Sequence, residues 1–277
     1  MNPLESLKAL ILWKITESGK ELITTSLTCP TERTHKYLLA DLVRRLSPIK
    51  SSQQLIRIGP NGDGGYLVPN DLDSISALFS PGVSTVSGFE KNCAEMGIKV
   101  FLADKSVEAP AEDDSNFVFT KKFVGSIEDE DFMTLESWIT SSLSDADKGD
   151  LMLQMDIESA EYESILSLPD FLLRRFRIII IEFHWLDHLW SRPFFDLASR
   201  AFSKLLQHHS CVHIHPNNCC GSFVYDGLEM PKVAEFTFLR NDRGLLSKHA
   251  TSFPHPLDVD NTTNPSICLP ECWITRD

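Results

Sequence analysis

A chain of 277 residues that is 42% apolar and 23% charged can build one α/β domain with extensions, and it lacks the composition of a disordered or fibrous protein. Its formal net charge of −13 argues against nucleic acid as a partner, because phosphate backbones recruit Lys and Arg, and against electrostatic adhesion to anionic membranes. A small-molecule, glycan or lipid-like acceptor is the expected partner class.

In chain order, "MNPLESLKALILWKITESGK" carries apolar residues at helical spacing, interrupted by Glu5, Lys8, Lys14, Glu17 and Lys20. It is too charged for a secretory core and too short to span a bilayer, so it reads as an amphipathic packing helix. "TERTHKYLLADLVRRL" predicts a second helix, with Thr31 as cap and Leu38, Leu39, Leu42, Val43 and Leu46 as its stripe. Together these helices form an N-terminal extension over 1–54 and a candidate surface for homo-oligomers. "LIRIGPNGDGGYLVP" sets two alternating runs around a Gly/Asn/Asp cluster, the pattern of a hairpin over 55–69 that leads into the main domain, 55–245. No "GK[ST]" follows, which speaks against a phosphate cradle.

Strand-like and helix-like blocks then alternate. "ALFSPG", "IKVFLAD", "NFVFTKKFVG", "LMLQMD", "FRIIIIEFH", "CVHIHP" and "AEFTFLR" read as strands. "SGFEKNCAEMG", "DFMTLESWITSSL", "SAEYESILSL" and "PFFDLASRAFSKLLQHH" read as helices, the third of them starting at Glu158 or Ser159. Continuous apolar runs such as Ile178 to Ile181 indicate strands covered on both faces. The fold class is therefore α/β: a doubly wound, mostly parallel seven-stranded Rossmann-like sheet with an N-terminal helical extension and hairpin. No helix separates the last two strands, so one of them runs antiparallel. The tail, 246–277, reads as a wrap or a loose end. Cys29, Cys93, Cys211, Cys219, Cys220, Cys268 and Cys272 show no metal-site framework and fit free thiols in a reducing cytoplasm.

Ligands of open parallel sheets bind at the carboxyl ends of the strands, where strand order reverses. The first strand ends in "SPGVSTVSGFE", where Gly82 would admit a close ligand and Ser80, Ser84 and Thr85 could donate hydrogen bonds. The second ends at Asp104, spaced from Gly82 as a ribose-gripping acid would be, although an acid capping a turn is also common there. "LMLQMDIESAEYESIL" puts Asp156 at a strand end beside Glu158, Glu161 and Glu163. Glu163 and Glu161 read as solvated first-turn acids, with Glu158 and Glu161 sharing a helix face, whereas Asp156 points into the cleft. "IIIIEFHW" adds Glu182 and His184, and "CVHIHPNN" adds His213 and His215.

These residues resemble an FkbM-type, class I S-adenosylmethionine-dependent methyltransferase across about Ile56 to Arg240. The resemblance rests on "IRIGPNGDGGY", "FSPGVSTVSGFE" with "VFLADKS", "LQMDIESAEYESIL", "IIIEFH" and "HIHPNN…PKVAEFTFLR". It implies methyl transfer from S-adenosyl-L-methionine to a hydroxyl of a sugar or secondary metabolite. It also implies cofactor contacts from Ser80, Pro81, Gly82, Glu90, Asp104 and Lys105, with Asp156 beside the reactive centre. Where the family has D-[IV]-E-G, this chain has Ser159, and its first-strand turn is poorer in glycine. Asp156, His184 and His215 are the candidate bases. The expected mechanism uses no metal; if one assists, Asp156, Glu182 and His213 are its expected ligands. Two alternatives remain: a non-catalytic binding module on the same fold, and a metal-dependent hydrolase using the His/carboxylate cluster. Phe223, Tyr225 and Trp185 are available to stack on an acceptor ring, and no membrane span is expected.

Overall fold

The computed structural model describes residues 32–276 apart from Ser84 and Asp145. The predicted first helix, the Thr31 cap and Cys29 lie outside the described residues. Helix α1 (Lys36–Leu46) buries Leu39, Leu42, Val43 and Leu46, as its stripe requires. It starts after 33–34 because those residues are held extended: Arg33 bridges Ser191, and the Thr34 amide donates to the Trp190 carbonyl at 2.9 Å.

Strand β1 (Ile49–Ser51) follows, and then β2 (Leu55–Ile58) and β3 (Tyr66–Pro69) pair antiparallel as the predicted hairpin. Next come β4 (Ile75–Pro81), helix α2 (Gly88–Glu95) and β5 (Lys99–Ala103). The block predicted as one strand is two, β6 (Phe117–Thr120) and β7 (Phe123–Gly125). The break falls at Lys121–Lys122, where the Lys122 amide turns back to the Thr120 carbonyl at 2.9 Å. The block predicted as a helix from Asp131 opens instead as β8 (Phe132–Thr134), paired with β7. Helix α3 (Leu135–Ser142) begins only where the Thr134 hydroxyl accepts from the Ser137 amide at 3.1 Å, a side-chain N-cap.

The second half runs β9 (Asp150–Met155), α4 (Glu161–Ser167), α5 (Asp170–Leu173), β10 (Phe176–Phe183), α6 (Arg192–Leu205) and β11 (His209–Pro216). The segment read as loop from Asn217 to Pro231 contains a hairpin, β12 (Ser222–Tyr225) and β13 (Leu228–Pro231), leading to β14 (Ala234–Arg240). Strand β15 (Leu245–His249) then pairs antiparallel with β1.

The main sheet has seven strands in the order β11-β14-β10-β9-β4-β5-β6, and β14 alone runs against the rest, between β10 and β11. The doubly wound α/β architecture expected from the sequence is therefore present. Alternating residues face two packed layers. Phe79, Phe101, Leu153 and Ile179 meet α1, α3, α4 and α6 on one side. Leu78, Val100, Met152 and Ile178 meet α2 and the β2–β3 hairpin on the other. The tail wraps rather than hanging loose. Trp273 is fully buried, and its indole nitrogen donates to the Glu229 carbonyl at 3.2 Å. The six described cysteines are free, and no helix of the described residues is long and apolar enough to cross a membrane.

Candidate functional site

From β4 the chain crosses to β5 and β6 on one side, and from β9 to β10 on the other, so the β4/β9 boundary is the switch point. There a hollow of about 490 Å³ opens at the carboxyl ends of the strands. Gly82, Asp104 and Asp156 all line it, together with Ala103, Ser106 and Ile157. An aromatic wall from Phe123 and Phe132, with ring centroids 5.4 Å apart, adds an apolar side. That wall comes from the β7–β8 pair, which the sequence pattern had merged into a longer strand and a helix. The lysine doublet at 121–122 was the signal that could have separated them.

Gly82 is required for a reason other than ligand approach. Its φ is +87°, and a Cβ there would lie 1.6 Å from the Asp156 carbonyl oxygen. The end of β4 is thus clasped on both sides: the Asp156 amide after β9 donates to the Pro81 carbonyl at 3.2 Å, and the Gly82 amide donates to the Ala103 carbonyl of β5 at 2.8 Å. Asp104 is buried, and its Oδ1 accepts from the Ser106 amide at 2.7 Å and hydroxyl at 2.6 Å, which fixes the carboxylate at the hollow's edge.

The other residues expected at a cofactor line no part of this wall. Pro81 is buried in β4, and Lys105 is ion-paired with Asp131. Ser80 and Glu90 belong to a buried polar chain: Ser80 Oγ reaches Glu90 Oε1 at 2.5 Å and Gln154 Oε1 at 2.6 Å, and Gln154 Nε2 donates to the Tyr66 hydroxyl at 3.0 Å. A serine hydroxyl has one proton to give, so both contacts are satisfied when Glu90 keeps its own proton and donates to Ser80. Burial pushes the Glu90 carboxyl up to about 7, although Ser80 could donate to the ionised form and works against the rise.

Beside the hollow lies a dense acidic cluster around His184. Its Nε2 is 3.9 Å from Asp156 Oδ1, 3.6 Å from Glu158 Oε2 and 3.9 Å from Glu182 Oε1, and its Nδ1 is 3.2 Å from Glu161 Oε1. The Tyr162 hydroxyl donates to the His184 carbonyl at 2.7 Å, and Trp185 takes a left-handed turn with φ of +59°, so the histidine is held where β10 ends. Burial pushes Asp156 up to about 7; His184 opposes the rise, while Glu158 and Glu161 add to it. Burial, then Asp156 and Glu235, raises Glu182 well above the usual carboxylate range, although Asn217 Nδ2 donates to its Oε1 at 3.0 Å. Burial alone would lower His184, but its hydrogen bond to Glu161 and the surrounding acids lift it above its ordinary value.

Glu161 corrects the sequence reading. It is wholly buried rather than solvated. Its Oε1 accepts from the Ile157 and Ser159 amides, both at 3.1 Å. The helix starts at Glu161, not at Glu158 or Ser159, because those two residues turn left-handed at φ +56° and +84°. Glu158 and Glu161 therefore do not share a helix face. The missed signal is spacing: 161, 165 and 168 fall at i, i+4 and i+7, and Ile165 and Leu168 are fully buried. Glu163 is exposed, as read.

The two late histidines form a separate group. His213 Nε2 is 2.8 Å from Asp258 Oδ1, and His215 Nδ1 is 3.7 Å from Asp258 Oδ2. Their pairing holds Asp258 far below the ordinary carboxylate range. Asp258 comes from the wrapping tail, so His213 is turned to the tail and does not complete a ligand set with Asp156 and Glu182. His215, proposed as a base, is likewise engaged by the tail. The donor atoms that do converge belong to Asp156, Glu161 and His184, each within 4.8 Å of the other two. Trp185, Phe223 and Tyr225 are all exposed. Compared with known proteins, the chain matches no family model and no curated protein.

Proposed function

We propose that this chain is an S-adenosylmethionine-dependent methyltransferase that methylates a hydroxyl of a small-molecule or glycan acceptor. The observation that carries the reading is the meeting of Gly82, Asp104 and Asp156 around one hollow at the switch point. Its volume of about 490 Å³ lies within the range of about 300–1,000 Å³ usual for small-molecule sites. Its composition fits an adenosyl group: Asp104 as acceptor for a hydroxyl pair, and Phe123 and Phe132 as an apolar wall for a flat ring. When bound, S-adenosylmethionine supplies an electrophilic methyl group, so alignment is the protein's main contribution.

The remaining task is removal of the acceptor's proton. Asp156, with its carboxyl near 7 and at the junction of the hollow and the acidic cluster, is the base that fits neutral pH. His184, 3.9 Å from it, stabilises the ionised form of Asp156 that takes the proton. Glu161 positions His184 by accepting at Nδ1.

Calorimetry with S-adenosylmethionine and S-adenosylhomocysteine tests the cofactor. Binding is expected, and Asp104→Ala should weaken it by about tenfold or more, the loss of a charge-assisted hydrogen bond. No heat at millimolar ligand would leave a binding module without this cofactor. In transfer assays, Asp156→Asn should lower turnover about 10²–10⁴-fold with the fold intact. Turnover close to wild type would remove Asp156 from the chemistry.

A further inference from the structure

Four carboxylates, from Asp156, Glu158, Glu161 and Glu182, stand within 4.0 Å of the ring nitrogens of one histidine. Among the described residues, none of the four is ion-paired with a lysine or arginine. Glu158 is exposed to water, but Asp156, Glu161 and Glu182 are largely withdrawn from it, and there ionised carboxylates need a partner. A second and independent observation concerns the unused atoms. Glu161 is completely buried, and its Oε2 has no hydrogen-bond partner. Asp156 Oδ1 is also buried without one. Orphan carboxylate oxygens at such depth are rare unless a ligand satisfies them.

The histidine is oriented for the same purpose. Glu161 Oε1, already fixed by two backbone amides, accepts at His184 Nδ1. An ion bonded at about 2.0–2.2 Å to both Nδ1 and a Glu161 oxygen would occupy that 3.2 Å contact in place of the shared proton. Asp156 brings a donor atom within 4.8 Å of the other two.

We propose that Asp156, Glu161 and His184 bind a divalent metal cation, with Glu158 and Glu182 supplying further negative charge around it. Two hard carboxylates and one imidazole, with no thiolate, suit Mn²⁺ or Zn²⁺ rather than a soft monovalent ion. The ion stands beside the hollow, because Asp156 belongs to both. If the methyltransferase reading holds, on which this last role rests, the ion would bind the acceptor hydroxyl and ease its deprotonation.

Titrating Mn²⁺ into chelator-treated full-length protein by calorimetry tests the site without any methyl donor. Saturable binding of a single ion is expected, and Asp156→Asn and His184→Gln should each weaken it by about tenfold or more. Glu161→Gln keeps a carbonyl oxygen for the Ile157 and Ser159 amides while replacing the orphan oxygen with an amide, so it should fold and lose the ion. Should Glu161→Gln unfold, His184→Gln carries the same comparison. Absence of binding at millimolar Mn²⁺ and Zn²⁺, or binding that these variants leave unchanged, overturns the proposal. Metal binding without any S-adenosylmethionine binding would sink the methyltransferase reading and keep the site; the reverse result would do the opposite.

Discussion

Glu90 shows how one buried acid links stability to pH. Its ordinary value of 4.5 is raised to about 7 in the folded chain, so folded Glu90 keeps a proton that the unfolded residue has lost between those values. The stability it contributes is fully present below about 4.5 and is lost as pH rises through about 7. Glu90→Gln retains a hydrogen-bonding head without the charge. Denaturant unfolding should find this variant equal to wild type at pH 4 and more stable at pH 8, by up to about 3 kcal/mol. A variant less stable than wild type at pH 8 would refute the protonated Glu90–Ser80–Gln154 chain. Ser159 offers a second test at this scale. With φ of +84°, it occupies backbone space that suits glycine, so Ser159→Gly should raise stability by about 1 kcal/mol. A lower unfolding midpoint would show that the Ser159 side chain contributes more than its backbone strain removes.

At the level of elements, the clasp between the ends of β4 and β9 decides whether the hollow exists. Gly82 passes so close to the Asp156 carbonyl that any Cβ must push the two strand ends apart. Gly82→Ala should therefore lose more than about 2 kcal/mol in urea unfolding and weaken ligand binding as well. A loss below about 0.5 kcal/mol would mean that the strand ends yield freely. The left-handed pair Glu158–Ser159 extends the same logic: it delays α4 until Glu161, which turns that acid inward to His184 instead of outward to water.

Across the whole molecule, the tail acts as a fastening. Asp258 meets His213 and His215 on β11, β15 adds to β1, and Trp273 fills a closed site against Phe236, with ring centroids 5.8 Å apart. Trp273→Ala should cost about 3–5 kcal/mol of unfolding free energy, read from the denaturant midpoint. A change under about 1 kcal/mol would show that the tail packs without holding the fold.

The sequence by itself determined the sheet. Runs such as Ile178 to Ile181 permit only strands buried on both faces, and the missing helix before Ala234 requires the antiparallel β14. Strand ends fall where apolar runs stop, so Gly82, Asp104 and Asp156 were legible as neighbours of one cleft. Only the tertiary structure decided which polar groups meet. Glu161 had to be seen buried, His213 and His215 had to be seen facing Asp258, and the aromatic wall needed the β7–β8 pairing. The physical reason is range: periodicity reports on residues a few positions apart, whereas the partners of His184 reach back 28 positions, to Asp156, and those of Asp258 lie more than 40 residues away. Their contacts are set by strand order and by the course of the tail, neither of which leaves a local pattern.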